Sequence, residues 1–263
     1  MPTTIDQPLA AAAGAAPPPG RAVAVVGACG GAGATTVATA VAHAVRRAGH
    51  AGVLVDLDGG GGGVDVHVGI EDEPGARWPE LGDVRGEISG AELAAALPRW
   101  RGTPVLSADR HRPRRLDAEV LVDVLRALAR AHDVTVLDAG RGAAPSDVLA
   151  RCSAVVLVVP ADLRGVAGAI AALATLSDAG AGVAGTVVRG VRGGVHPVEV
   201  EDVLQVPTLC AVPDDRRLGR NAAAAPALGR RSTLGRLAHA LGTGPVGARL
   251  GLDGPARLAP TPW

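Results

Sequence analysis

The sequence predicts an α/β domain with a mainly parallel sheet and helices on both faces. Three observations carry this expectation. Short, continuous apolar runs alternate with amphipathic segments along most of the chain. A glycine-rich stretch, Gly27-Ala-Cys-Gly-Gly-Ala-Gly-Ala-Thr-Thr36, separates the first apolar run from the first amphipathic one. The chain has 263 residues, long enough for one such domain with a sizeable core.

The elements follow in order. Ala22–Val26 is a buried-strand pattern, and Val37, Val41, Ala44, Val45 and Ala48 recur at helical spacing after the glycines. Val53–Leu57 is the second strand and Thr103–Ser107 a short third. Asp117–Ala131 places Val120, Leu121, Val124, Leu125 and Leu128 on one side of a helix. Strands are expected at Val134–Asp138, Ala154–Val159, Val183–Val188 and Thr208–Val212, and helices at Gly165–Ala179 and Thr233–Leu241. Residues 1–20, Ala-rich and ending in Pro17-Pro18-Pro19-Gly20, are expected to be disordered. Residues 21–242 form the domain, and the Gly/Pro-rich residues 243–263 are expected to be a flexible tail. No internal repeat is visible.

Composition narrows the function. The 26 basic residues balance the 26 acidic ones, so no global charge favours nucleic acid or an acidic membrane. All basic residues are Arg; Lys, Phe and Tyr are absent. The three Cys have no C-x-x-C spacing and the seven His no metal-ligand spacing, against a zinc site or a disulfide framework. No signal peptide is legible, and no apolar run approaches the ~18 residues of a membrane span. The expectation is a cytoplasmic protein. Leu234, Leu237 and Leu241 form a stripe that suits a last core helix better than an interfacial anchor. The Arg-rich 110–115 segment and the pairs Arg216-Arg217 and Arg230-Arg231 are read as solvated faces and caps before a DNA-binding surface.

The glycine stretch is a phosphate-binding loop in its order: strand, glycine loop, helix N-terminus. Against G-x-x-x-x-G-K-[ST], Ala28 stands at the first Gly, Gly33 at the second, Ala34 at the Lys and Thr35 at the hydroxyl. The predicted nucleotide-binding set is therefore Cys29, Gly30, Gly31, Ala32, Gly33, Ala34, Thr35 and Thr36. Three carboxylates end neighbouring strands. Thr35, Asp56 and Asp138 are the candidates to hold Mg²⁺, the carboxylates through its waters, and Asp58 to orient an attacking water. Singly, each Asp could be a turn or helix cap; together with the loop and the Thr pair they favour a nucleotide site. A dinucleotide-binding reading fails because G-x-G-x-x-G is not met and the Thr pair has no role in it.

These residues carry a resemblance. Gly30–Thr36, then Val53–Asp58 with its Gly-rich turn and Val64-Asp65, resembles the ParA/MinD superfamily of deviant-Walker ATPases. That family's loop is K-G-G-x-G-K-[ST]-T; Cys29 falls at its first (signature) Lys and Ala34 at its second. The segment Glu73-Pro-Gly-Ala-Arg-Trp-Pro-Glu-Leu81 is similar to one in actinobacterial septum-site-determining, CpaE-like proteins of the CpaE/TadZ branch. So are Ala96–Arg99, Val105–Ser107 and Val212-Pro-Asp-Asp-Arg-Arg-Leu218. The likeness covers residues 21–242. It implies a P-loop NTPase-like fold, ATP with Mg²⁺ as cofactor, Pro213 and Asp214 beside the nucleotide, homodimer formation, and protein partners in division or Tad-type pilus and secretion machinery.

Two departures bear on function. Relatives often carry a receiver-like domain before this one, and 20 residues are too few for it. The family's adenine-reading Asn has no counterpart in Val187-Val188-Arg189-Gly190. Losing a charge-assisted hydrogen bond of ~1.5–3 kcal/mol weakens binding roughly 10–150-fold, and losing a preorganised donor costs ~10²–10³ in rate. Weak or absent ATP binding with little hydrolysis is the expectation. The alternatives are a working ATPase that uses an Arg, with Arg141 after Asp138-Ala139-Gly140 as the candidate, and a DNA-binding partition protein.

Overall fold

The computed structural model describes residues 20–82, 88–141, 144–190, 194–215, 229 and 231–252. Of the segment 1–20 expected to be disordered, residues 1–19 lie outside them, and Gly20 is buried with its N–H bonded to Ala129 O; Arg216, Arg217 and Arg230 also lie outside. Eight strands form one sheet: β1 (Arg21–Gly27), β2 (Gly52–Asp56), β3 (Arg99–Trp100), β4 (Thr103–Leu106), β5 (Val134–Asp138), β6 (Ala154–Pro160), β7 (Val183–Arg189) and β8 (Thr208–Val212). Their order is β3-β4-β2-β5-β1-β6-β7-β8, and every pairing is parallel except the β3–β4 hairpin. The α/β class with a mainly parallel sheet is as the sequence predicts.

The strands are apolar without interruption because both faces are covered. Ala22, Ala24 and Val26 of β1 face one core, Val23 and Val25 the other. On the first face lie α4 (Gly90–Ala96), α5 (Ala118–Ala131), α6 (Ser146–Ala150), α7 (Leu163–Asp178) and α8 (Pro197–Leu204). On the second lie α1 (Ala34–Arg47), α2 (Val64–Val68) and α9 (Thr233–Gly242). A short α3 (Trp78–Leu81) seals the edge of the first core.

Helix starts follow local chemistry. Asp117 caps α5 by accepting from Glu119 and Val120 N–H at 2.9 and 3.2 Å. Asp162 caps α7 through Gly165 N–H at 2.7 Å, and Ser232 caps α9 through Gly235 N–H at 3.0 Å. Leu234, Leu237 and Leu241 are buried, so the α9 stripe is core.

The flexible tail expected from residue 243 is a correction. Gly244–Arg249 forms a helix, α10, and Leu250 and Leu252 are 1% and 2% exposed in the α1-side core. The Gly/Pro composition concealed an apolar pair spaced to close that core; residues 253–263 lie outside the described set. No helix among the described residues is long and apolar enough to cross a membrane.

Candidate functional site

The site forms where the chain reverses direction across the sheet. From β1 the chain runs to β2 and β4 on one side and later to β6, β7 and β8 on the other, leaving a crevice at the strands' carboxyl ends. The glycine loop fills it. Gly27 N–H donates to Gly140 O at 2.7 Å and Ala28 N–H to Val158 O at 2.9 Å, tying the loop to both flanking strands. Gly31 and Gly33 have φ of 74° and 96°, which an L side chain rarely adopts. Gly168 of α7 packs so closely that a Cβ there would lie 2.3 Å from Ala28 O.

Gly33 precedes α1, and no side chain caps that helix; its first turn carries no acid. Its leading N–H groups have no intrahelical acceptor, which suits an anion. The loop opens on a cleft of about 580 Å³ lined by residues 29–37, His67, Arg141, Arg189 and the 212–215 and α9 segments. All of Cys29, Gly30, Gly31, Ala32, Gly33, Ala34, Thr35, Thr36, Pro213 and Asp214 line it, so the structure gathers the whole predicted nucleotide set.

A smaller cavity of about 210 Å³ adjoins it, sharing Thr35, His67 and Gly140. Asp56, Asp58 and Asp138 line this second space. Asp56 and Asp138 are register partners on β2 and β5, buried at 5% and 4% exposure. Burial first, and the Asp138 charge second, push the Asp56 carboxyl up to about 7, against the pull of three backbone N–H groups. Burial also raises Asp138, although the Thr35 hydroxyl and Gly140 N–H favour its charged form. Asp58 is exposed and folds its own loop, accepting from Gly60 N–H at 3.2 Å.

Asp56 is committed to the backbone. Its two oxygens accept from Asp58 N–H at 2.9 Å and Val64 N–H at 3.0 Å. Asp138, bonded by Thr35, is the freer carboxylate. No group of three His, Cys, Asp or Glu side chains placed to hold a metal occurs among the described residues. The oxygen-only set still fits Mg²⁺, which keeps several waters and takes few protein ligands besides phosphates.

A sign follows for stability. Asp56 ionises near 3.8 when unfolded and near 7 when folded, so its contribution is fully present below about pH 4 and lost as pH rises through about 7. Asp138→Asn removes the opposing charge. In urea unfolding without Mg²⁺, the variant is expected to match the parent at pH 4 and exceed it at pH 7.5 by on the order of 1–3 kcal/mol. Equal stability at both pH values would refute the coupling.

The Trp-containing segment supports this carboxylate pair. Trp78 Nε1–H donates to Asp56 O at 2.6 Å. Arg77, 8% exposed, donates to Asp65 Oδ2 at 3.0 Å and to the carbonyls of Ile70, Glu71, Glu73 and Gly75. Trp78 and Trp100 are buried packing anchors. Arg110 pairs with Asp72, and Arg112 with Glu80 and Asp109, so two of the four arginines of this stretch are paired in place.

Sequence reasoning missed two cleft residues. His67 lies 3.5 Å from the Thr36 hydroxyl. Arg189 ends β7 with Nη2 donating to Gly31 O at 3.0 Å, whereas Arg141 is exposed at the rim. Strand alternation could have found Arg189: Val187 faces the α1-side core, so the residue two further on does too.

The architecture has counterparts among solved structures. The septum site-determining protein MinD of Pyrococcus horikoshii, complexed with Mg-ADP, superposes with a TM-score of 0.61 at 18% identity, over 84% of this chain and 94% of that one. A ParA family ATPase from Chlorobium tepidum superposes with a TM-score of 0.68 at 14% identity, over 85% and 98%. The chain has the P-loop fold of the MinD and ParA ATPases. Among sequences, an uncharacterized Mycobacterium tuberculosis protein is 41% identical over 202 residues, 76% of this chain. This chain spans 56% of that relative's length. An uncharacterized ATP-binding protein of Methanocaldococcus jannaschii is 24% identical over 213 residues, 77% of each chain. No family model matches. This chain carries the glycine loop, Thr35 and the strand-end carboxylates, and it has no lysine.

Proposed function

We propose that this chain is a ParA/MinD-like protein that binds Mg-ATP weakly and hydrolyses it slowly or not at all. In this reading it positions septum or Tad-type pilus and secretion machinery as an actinobacterial CpaE-like protein. The observation that carries the nucleotide reading is the uncapped α1 N-terminus, wrapped by a glycine loop and opening on a cleft beside a carboxylate pocket. The N–H groups from Gly30 to Thr36 hold the phosphates, and Pro213 and Asp214 lie beside the base. Thr35 and Asp138 would hold Mg²⁺, and Asp56 fixes the 58–64 loop beside them. Bound Mg²⁺ would neutralise phosphate charge, and in this reading Asp58 would orient water. Nucleotide then favours a homodimer, the form presented to protein partners.

Calorimetric titration of Mg-ATP is expected to show saturable binding, with turnover at background. Turnover that both Asp58→Ala and Asp138→Asn abolish would replace this reading with that of a working ATPase. Pilus-assembly or secretion genes beside this one would favour secretion over division.

A further inference from the structure

We infer that Arg189 supplies the cation that the glycine loop lacks, holding the phosphates of a bound nucleotide. The inference rests on the nucleotide reading above and adds a residue to it. The chain has no Lys, and Cys29 and Ala34 leave the loop without a charge of its own. Among the described residues lining the large cleft, the arginines are Arg141 and Arg189. Arg189 is the one in contact with the loop.

Its position is set by the sheet. β7 pairs with β6, which pairs with β1, so the end of β7 stands two strands from the loop. From there the side chain crosses back: Cδ and Nε lie 3.6 and 3.9 Å from where a Cβ on Gly33 would be. Gly33 immediately precedes Ala34, the position of the missing Lys. The 3.6 and 3.9 Å separations are ordinary contact distances, so the arginine stem packs directly on the loop at Gly33, whose φ of 96° is what favours glycine there.

The present partners of this guanidinium are weak. Nη2 donates to a neutral carbonyl, Gly31 O, and Nη1 lies 3.6 Å from Asp214 Oδ1, a carboxylate 63% exposed. Nε is buried and has no hydrogen-bond partner. An unsatisfied buried donor is costly, and a phosphate offers several acceptor oxygens to a planar fork of donors. Anion binding therefore exchanges a carbonyl and a screened carboxylate for charge-assisted bonds and can satisfy Nε as well.

The test compares the parent, Arg189→Gln and Arg189→Lys by calorimetry with Mg-ATP, inorganic pyrophosphate and adenosine, after thermal melts confirm folding. Arg189→Gln is expected to weaken Mg-ATP and pyrophosphate binding roughly 10–150-fold while leaving adenosine unchanged. Arg189→Lys keeps the charge without the fork and is expected to recover part of the loss, so a glutamine variant that fails to fold leaves the lysine comparison decisive. A parallel loss for adenosine would overturn the assignment in favour of a base contact. Tighter binding by Arg189→Gln would overturn it in favour of a latch that blocks the cleft. Unchanged Mg-ATP binding would overturn it while the nucleotide reading stands. A parent that binds neither ATP nor pyrophosphate would overturn both.

Discussion

Arg77→Ala is expected to lower the unfolding free energy by ~3–5 kcal/mol, because it removes one partner of a buried ion pair. Asp65 is 2% exposed and would be left with neutral partners, the Ser107 hydroxyl and Val66 N–H, each at 2.9 Å. Four backbone carbonyls would also lose the guanidinium that gathers them. Against a typical domain stability of ~5–15 kcal/mol, the loss is a large fraction. Urea unfolding monitored by circular dichroism measures it, and Arg77→Lys should fall between, since one ammonium cannot reproduce the fork. A loss under ~1 kcal/mol would show that the network is dispensable. The effect reaches the site, because Arg77 is followed by Trp78, whose indole fixes the end of β2 through Asp56 O. In the nucleotide reading, a loosened segment also misplaces the carboxylate pair.

Ala34→Lys is expected to tighten Mg-ATP binding roughly 10–150-fold, the reverse of the loss assigned to the missing lysine. Ala34 opens α1 and lines the large cleft, so a lysine stem can run along the apolar wall and place its ammonium among the phosphates. Calorimetry on the folded variant reads the change. The pair Ala34→Lys and Arg189→Gln forms a double-mutant cycle. If both cations serve the same phosphates, lysine rescues the glutamine variant and adds less to the parent. An Ala34→Lys protein that folds and binds no more tightly, with or without Arg189, would refute a phosphate site at this loop.

Much of the fold was legible in advance. Uninterrupted apolar strands require cover on both faces, and the four longest helices were marked by periodicity. The glycine loop, Thr35, Asp56, Asp58 and Asp138 were legible for the same reason: they are contiguous, or they end a strand. The segments that escaped were short or compositionally disguised. α10 hid within Gly and Pro, and α3 is a single turn whose existence depends on Arg77 gathering carbonyls from residues 70–75.

The sequence by itself determined the layered α/β architecture, the loop between first strand and first helix, and the absence of any lysine. These depend on periodicity, adjacency and composition, which one chain displays directly. Tertiary structure alone decided which carboxylates face one another, that Asp56 is spent on holding a loop, and that Arg189 crosses from β7 to the glycine loop. Arg189 and Gly31 are 158 residues apart. Only the parallel order β1-β6-β7 brings them together, because pairing direction and strand order are set by burying both sheet faces at once.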